Sequence, residues 1–152
     1  MAKVVTSDPD EPGLIADWMR QLEAGVPIRC ARDQVFSPVD AGDVAEALTA
    51  LALRGCTGIF HLGGPTALTR LEFLEMLVNE MARYRRIAPN IIRCSLRDLT
   101  FAEPRPLDAS LSSEKVCRVL GKTFKDMRAV CREAVRRHYG GDTAAPLRRS
   151  EA

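Results

Sequence analysis

The spacing of apolar residues predicts a chain of helices separated by short extended segments. Apolar positions that recur every three or four residues mark five helices, at about residues 12–24, 40–55, 70–85, 113–120 and 124–139. Short β-rich runs mark strands at about residues 3–6, 26–30, 35–37, 58–64 and 90–94. The pattern therefore predicts a mixed α/β domain over residues 1–141. The polar and charged residues 142–152 are predicted to be a disordered tail.

Several residues carry the local signals of helix ends. Thr69 followed by Glu72 forms a capping box, in which each side chain satisfies a backbone N–H of the first turn. Either Asp40 or Gly42 with Asp43 is expected to open the second helix, with Asp43 a candidate for its N-cap. Gly25 and Gly121 follow the last apolar positions of two helices, where a glycine commonly ends the helix.

The composition is that of an ordinary globular protein. The chain has 152 residues, of which 46% are hydrophobic and 28% charged, so one domain with a real core is expected. No apolar run approaches the roughly 18 residues of a spanning helix, and the first residues lack the apolar stretch of a secretion signal. We therefore expect a cytoplasmic protein.

Its five cysteines show no Cys-x-x-Cys pair and are expected to be free thiols in the core.

Positive charge is concentrated at the C-terminal end. From Lys115 onward there are ten Lys or Arg residues against four acidic ones, whereas the whole chain has a net charge of only +2. A basic helix of this kind could contact phosphate or nucleic acid, but a solvated helix face explains it equally simply. A nucleic-acid partner is not expected.

No catalytic or cofactor-binding signature is present in the sequence. A dinucleotide site needs a glycine-rich turn that leads from a strand into a helix, and the sequence has none. Neither Tyr84 nor Tyr139 is followed four residues later by the lysine of the short-chain dehydrogenase motif. His61 and His138 lie on apolar segments and are expected to be structural. The chain alone is thus predicted to hold no catalytic residue, no cofactor and no metal.

Four segments resemble, in the same order, the C-terminal half of the dTDP-4-dehydrorhamnose reductase family of extended short-chain dehydrogenases. The segment DQVFSPV at residues 33–39, followed by GDVAEAL at 42–48, is similar to the family's Asp-Gln-x-x-Ser-Pro-Thr and Asp-hydrophobic-Ala motifs. GIFHLGG at 58–64 with TRLEF at 69–73, and RPLDASL at 105–111 with Lys115, match the motifs that follow. Val39 departs from the pattern, because the family has threonine there.

The resemblance implies a fold and a role. The family reduces a keto sugar attached to a nucleoside diphosphate with NADPH, and this half covers the sugar nucleotide while a Rossmann half, absent here, holds the cofactor. We expect Arg105, between two prolines, to contact the diphosphate, because a guanidinium fork on stiff backbone suits that group. Asp33, Gln34 and Ser37 are expected to line the opening of the same substrate site.

Other roles remain open on the sequence alone. The chain could be a non-catalytic regulatory or interaction subunit, resembling the beta subunit of methionine adenosyltransferase, which shares the fold. In either role, helices that would pack on the Rossmann half expose apolar surface. We therefore expect a Rossmann-containing partner or self-association.

Overall fold

The computed structural model describes residues 3–140, in which helices alternate with very short strands. The predicted disordered tail, residues 142–152, lies outside the described residues. The helices are α1 (Leu14–Glu23), α2 (Ala41–Leu53), α3 (Arg70–Met81), α4 (Glu114–Leu120) and α5 (Met127–Tyr139). The strands are β1 (Val4–Val5), β2 (Ile28–Ala31), β3 (Val35–Phe36), β4 (Val39–Asp40), β5 (Leu68–Thr69), β6 (Ile91–Cys94) and β7 (Asp108–Ala109).

The strands form three small sheets. β2 and β6 pair in parallel over four residues, and β1 pairs in parallel with β4. In the third sheet β3 is central, antiparallel to β5 on one side and parallel to β7 on the other. Within residues 3–140 there is thus no continuous parallel sheet of the Rossmann type, and the predicted mixed α/β fold without a Rossmann half is confirmed.

The main core lies where α1, α3 and α5 pack together. Phe73 of α3 is fully buried and meets both Trp18 of α1 and Phe36 of β3 edge to face, at ring distances of 5.4 and 6.2 Å. Such aromatic pairs add about 0.5 to 1.5 kcal/mol each beyond the area they bury. A smaller core joins α2 to α4 around Val39 and Val116. The aromatic contacts matter for function because they fix the start of α3 against α1 and β3.

The start of α3 agrees with the sequence, and at α2 the structure selects Asp40 from the two predicted starts. The capping box of Thr69 and Glu72 is present, which confirms that prediction. The N-cap of α2 is Asp40 and not Asp43, because Asp40 accepts a hydrogen bond from the Asp43 backbone N–H at 3.2 Å. The Asp43 carboxylate accepts instead from the backbone N–H of Lys125 at 2.6 Å. Asp43 therefore fastens α2 to the segment before α5.

The prediction of a strand at residues 58–64 is wrong. This segment is irregular, and no neighbouring strand pairs with it in the described part of the chain. It is held by a side chain and by close packing: the Ser113 hydroxyl accepts from Gly63 N–H and donates to Gly63 C=O, both at 2.6 Å. A Cβ on Gly64 would lie 2.0 Å from the Pro38 carbonyl oxygen. The two glycines therefore allow two backbone segments to approach closely. In the sequence, an apolar run followed by such glycines has the same pattern as a strand followed by a turn.

The two histidines differ from each other. His61, expected on an apolar strand, is exposed in the irregular segment. His138 lies near the end of α5, with its Nε2 atom 3.1 Å from the Glu23 carboxylate of α1. Only His138 has the partner that a structural histidine needs.

Candidate functional site

A cavity of about 500 Å³ lies beside the start of α3. Its volume falls within the usual range for small-molecule sites. Three of its lining side chains are cationic and one is a carboxylate. The full lining is Lys3, Gln34, Phe36, Arg70, Glu103, Arg105, Pro106 and Ala109. We refer to it below as the Arg70–Arg105 cavity.

Parallel pairing of β3 and β7 brings two distant parts of the chain to this cavity. The backbone N–H of Val35 donates to the Leu107 carbonyl at 2.7 Å, and Val35 lies opposite Asp108 in the ladder. Parallel strands begin at the same edge of a sheet, so the residues that precede them become neighbours. Gln34 and Arg105 therefore line one cavity although 70 residues separate them in sequence.

Asp33 and Ser37 do not line the Arg70–Arg105 cavity. Side chains alternate along an extended strand, so Gln34 and Phe36 face one side while the odd-numbered residues around them face the other. The Asp33 carboxylate accepts from the Ser95 hydroxyl at 2.5 Å and from Leu96 N–H at 2.7 Å. These hydrogen bonds, that of Ser95 foremost, hold the pKa of Asp33 below its ordinary value.

Ser37 belongs to a different part of the structure. Its side chain is only 2% exposed, and its hydroxyl accepts from the backbone N–H of Leu111 at 3.1 Å. It borders a second cavity, of about 470 Å³, next to Ser110 and Ser113. Of the four residues selected from the sequence, the structure thus brings Gln34 and Arg105 together, while Asp33 and Ser37 support the loops around them.

Arg105 is exposed. Its guanidinium carbon lies 4.2 Å from the centre of the Phe101 ring, a cation–π arrangement. Pro104 and Pro106 restrict the backbone on either side. Within residues 3–140 Arg105 forms no ion pair, so its planar N–H fork remains available to an anion.

Arg70 is a cationic lining residue that the site prediction missed. It is the first residue of α3, and its backbone N–H donates to the Gln34 carbonyl at 2.9 Å. Its half-buried guanidinium lies 5.1 Å from the centre of the Trp18 ring. A signal for it was available, because a cation in the first turn of a helix opposes the helix dipole and calls for an explanation.

The described residues do not fit a nicotinamide dinucleotide. Such a site requires glycine backbone between a strand and a helix N-terminus. The glycines with positive φ follow helices or lie in a loop, at Gly25, Gly55, Gly58 and Gly121. Among residues 3–140 there is also no cluster of His, Cys, Asp or Glu that could hold a metal ion.

Of the eight Lys and Arg residues from Lys115 to Arg137, five form ion pairs with carboxylates. Ion pairs are formed by Arg118, Lys122, Lys125, Arg132 and Arg137. This pairing lowers the charge that a phosphate backbone would meet, so the surface offers no support for nucleic-acid binding. In the same described range, no helix combines the length and apolarity required to span a bilayer.

Comparison with solved structures defines the class of protein. The fold matches dTDP-4-dehydrorhamnose reductase from Yersinia enterocolitica (TM-score 0.72, 16% identity, 88% of this chain and 46% of that one). It also matches the Bacillus anthracis reductase in complex with NADP (TM-score 0.71, 14% identity, 92% and 46%). A dTDP-glucose 4,6-dehydratase from Bacillus anthracis matches with a TM-score of 0.65 at 15% identity, over 91% and 45%. The chain therefore shares the fold of a little under half of each of these proteins.

The family follows from the sequence match. Residues 8–139 match the family described as the RmlD substrate binding domain, and the chain belongs to that family. No curated protein matches the chain. The chain spans less than half the length of the solved chains it resembles.

Proposed function

We propose that the chain binds a nucleoside-diphosphate sugar, with the diphosphate in the Arg70–Arg105 cavity. The observation that carries the proposal is that Gln34 and Arg105, from two separate family motifs, line one cavity of suitable size. Arg105 supplies an unpaired guanidinium for phosphate oxygens, and the Gln34 amide can hydrogen-bond the sugar or base. Asp33 and Ser37 act indirectly, by fixing the loop that carries Gln34.

The chemistry that accompanies binding would come from residues outside this domain. A reductase related to the solved dTDP-4-dehydrorhamnose reductases would use NADPH, and residues 3–140 do not fit that cofactor. We therefore propose a substrate-binding part of a sugar-nucleotide reductase that is not catalytic by itself. A cytoplasmic location remains a prediction from the sequence.

A partner surface is proposed around α2. Leu53 and Leu48 of this helix are 84% and 55% exposed, and Ile59 in the following irregular segment is 77% exposed. Large apolar side chains at such exposures favour coverage by another protein surface. We propose a Rossmann-containing partner, or a second copy of the chain. Sedimentation velocity at rising concentration tests the proposal, and a strictly monomeric, well-folded chain at high concentration would contradict it.

The binding proposal is tested by titrating the chain with dTDP, UDP and NADPH while its thermal unfolding is followed. A ligand that binds the native state raises the melting temperature. We expect stabilisation by a nucleoside diphosphate and none by NADPH. Arg105→Ala should abolish the stabilisation, whereas Arg128→Ala, at an exposed arginine of α5, should preserve it.

The outcomes separate the two roles left open by the sequence. Unchanged dTDP affinity in a folded Arg105→Ala protein would refute the assignment of Arg105. No response to any nucleotide would refute the binding proposal and favour the interaction subunit, which retains the scaffold and its exposed apolar surface without a ligand.

A further inference from the structure

Arg70 shares with Arg105 an unusual environment. Both guanidiniums line the same cavity, and each lies over an aromatic ring, Trp18 for Arg70 and Phe101 for Arg105. Neither forms an ion pair within residues 3–140. The only carboxylate that lines the cavity, Glu103, is exposed and pairs with neither. Beside the Lys3 ammonium, the cavity thus contains two guanidiniums that form no ion pair with any carboxylate of residues 3–140.

The position of Arg70 is electrostatically unfavourable in the free protein. Its pKa is lowered by burial first and also by the positive charge of Arg105. The start of α3 adds the positive end of a helix dipole to the same region. An anion in the cavity would offset these effects, because it interacts favourably with both guanidiniums and with the dipole.

Rigidity distinguishes Arg70 from an ordinary surface arginine. Its backbone is fixed by the capping box of α3 and by the hydrogen bond to Gln34, and its side chain packs on Trp18, which is only 3% exposed. A guanidinium already held in place loses little conformational freedom when it binds a ligand. Arg70 therefore presents a fixed cation inside the cavity, and Arg105 presents a more exposed one at its rim.

We infer that Arg70 is a second diphosphate-binding residue, so that the cavity recognises two linked phosphates with one guanidinium for each. The inference rests on the proposed function and adds a specificity to it: the site selects nucleoside diphosphates over monophosphates. A diphosphate supplies one anionic group for each guanidinium, whereas a monophosphate supplies a single group to both. The preference for the diphosphate then depends on Arg70 and Arg105 together.

The test is isothermal titration of the full chain with dTDP and with dTMP. Charge-assisted hydrogen bonds contribute about 1.5 to 3 kcal/mol, so the wild-type protein should bind dTDP at least about tenfold more tightly than dTMP. Arg70→Gln should bring the ratio of the two dissociation constants close to one. Arg70→Lys keeps the charge without the planar fork, so its ratio of dissociation constants should lie between those of the wild type and of Arg70→Gln. Arg128→Gln, at an exposed arginine on α5, should keep the wild-type ratio.

Each outcome is decisive because the measured quantity is a ratio. A general loss of fold would weaken the binding of both nucleotides, whereas the inference requires that only the preference for dTDP over dTMP is lost. If Arg70→Gln does not fold, Arg70→Lys provides the same test. If dTDP binds and Arg105→Ala abolishes binding, but Arg70→Gln keeps the wild-type ratio, the role of Arg70 is refuted and the proposed function stands. If the wild-type protein binds neither nucleotide, both fail.

Discussion

Replacing Ser113 with alanine should destabilise the domain far more than the loss of one hydroxyl suggests. The Ser113 side chain is 8% exposed, and its hydroxyl bonds both polar backbone groups of Gly63 at 2.6 Å. Gly63 is itself buried, so Ser113→Ala leaves an N–H and a C=O without partners away from water. Each buried unsatisfied group costs about 1 to 3 kcal/mol, so for the two groups we expect a loss of about 2 to 6 kcal/mol.

Urea denaturation followed by circular dichroism measures this loss. Ser110→Ala is the matched control, because Ser110 is exposed and lies three residues away in the same loop. We expect a lower midpoint for Ser113→Ala with an unchanged slope, and a control within about 0.5 kcal/mol of the wild type. Ser113 is argued to hold residues 58–64, which have no strand partner among the described residues, through its hydrogen bonds to Gly63. Equal stability of the two variants would refute that argument.

Three further predictions concern packing, pH and thiol reactivity. Gly64→Ala should cost at least about 1 to 3 kcal/mol in urea denaturation, because the new Cβ would meet the Pro38 carbonyl oxygen at 2.0 Å. The pKa of Glu72 is lowered by hydrogen bonds from the start of α3, so its stabilisation is present above the ordinary value of 4.5 and is lost as pH falls below it. The stability difference between wild type and Glu72→Gln should therefore shrink in acid-titrated urea melts, and a constant difference would contradict this. Burial raises the pKa of Cys30 to about 11 and of Cys131 to about 12, so a thiol reagent at pH 8 should spare both until denaturant is added.

Much of the fold was predictable because its helices carry local signals. Apolar periodicity gave all five helices, and the Thr69–Glu72 capping box fixed the start of α3. Strand β6 also lies where its β-branched residues predicted it. By contrast, β5 and β7 have two residues each and exist only because β3 lies between them. A strand that depends on a distant partner leaves too short a pattern to be found in one sequence.

The candidate site was only partly predictable, because contacts between distant parts of the chain form it. Gln34 and Arg105 were selected through family motifs, and the parallel pairing that makes them neighbours is invisible in the sequence. Asp33 and Ser37 were grouped with Gln34 because they are adjacent in the chain, but the two-residue period of an extended segment directs them away from the Arg70–Arg105 cavity. Arg70 was missed because its motif was used only as a helix start and as a family match, and its side chain was not assigned a role.

The location of nucleotide binding tests the account most directly. A titration of isotopically labelled protein with dTDP, followed by two-dimensional NMR, reports which side chains sense the ligand. The account predicts the largest shifts at the Gln34 side-chain amide and at the Nε–H groups of Arg70 and Arg105. Shifts concentrated instead around Ser110 and Ser113, at the second cavity, or no shifts at millimolar dTDP, would contradict it.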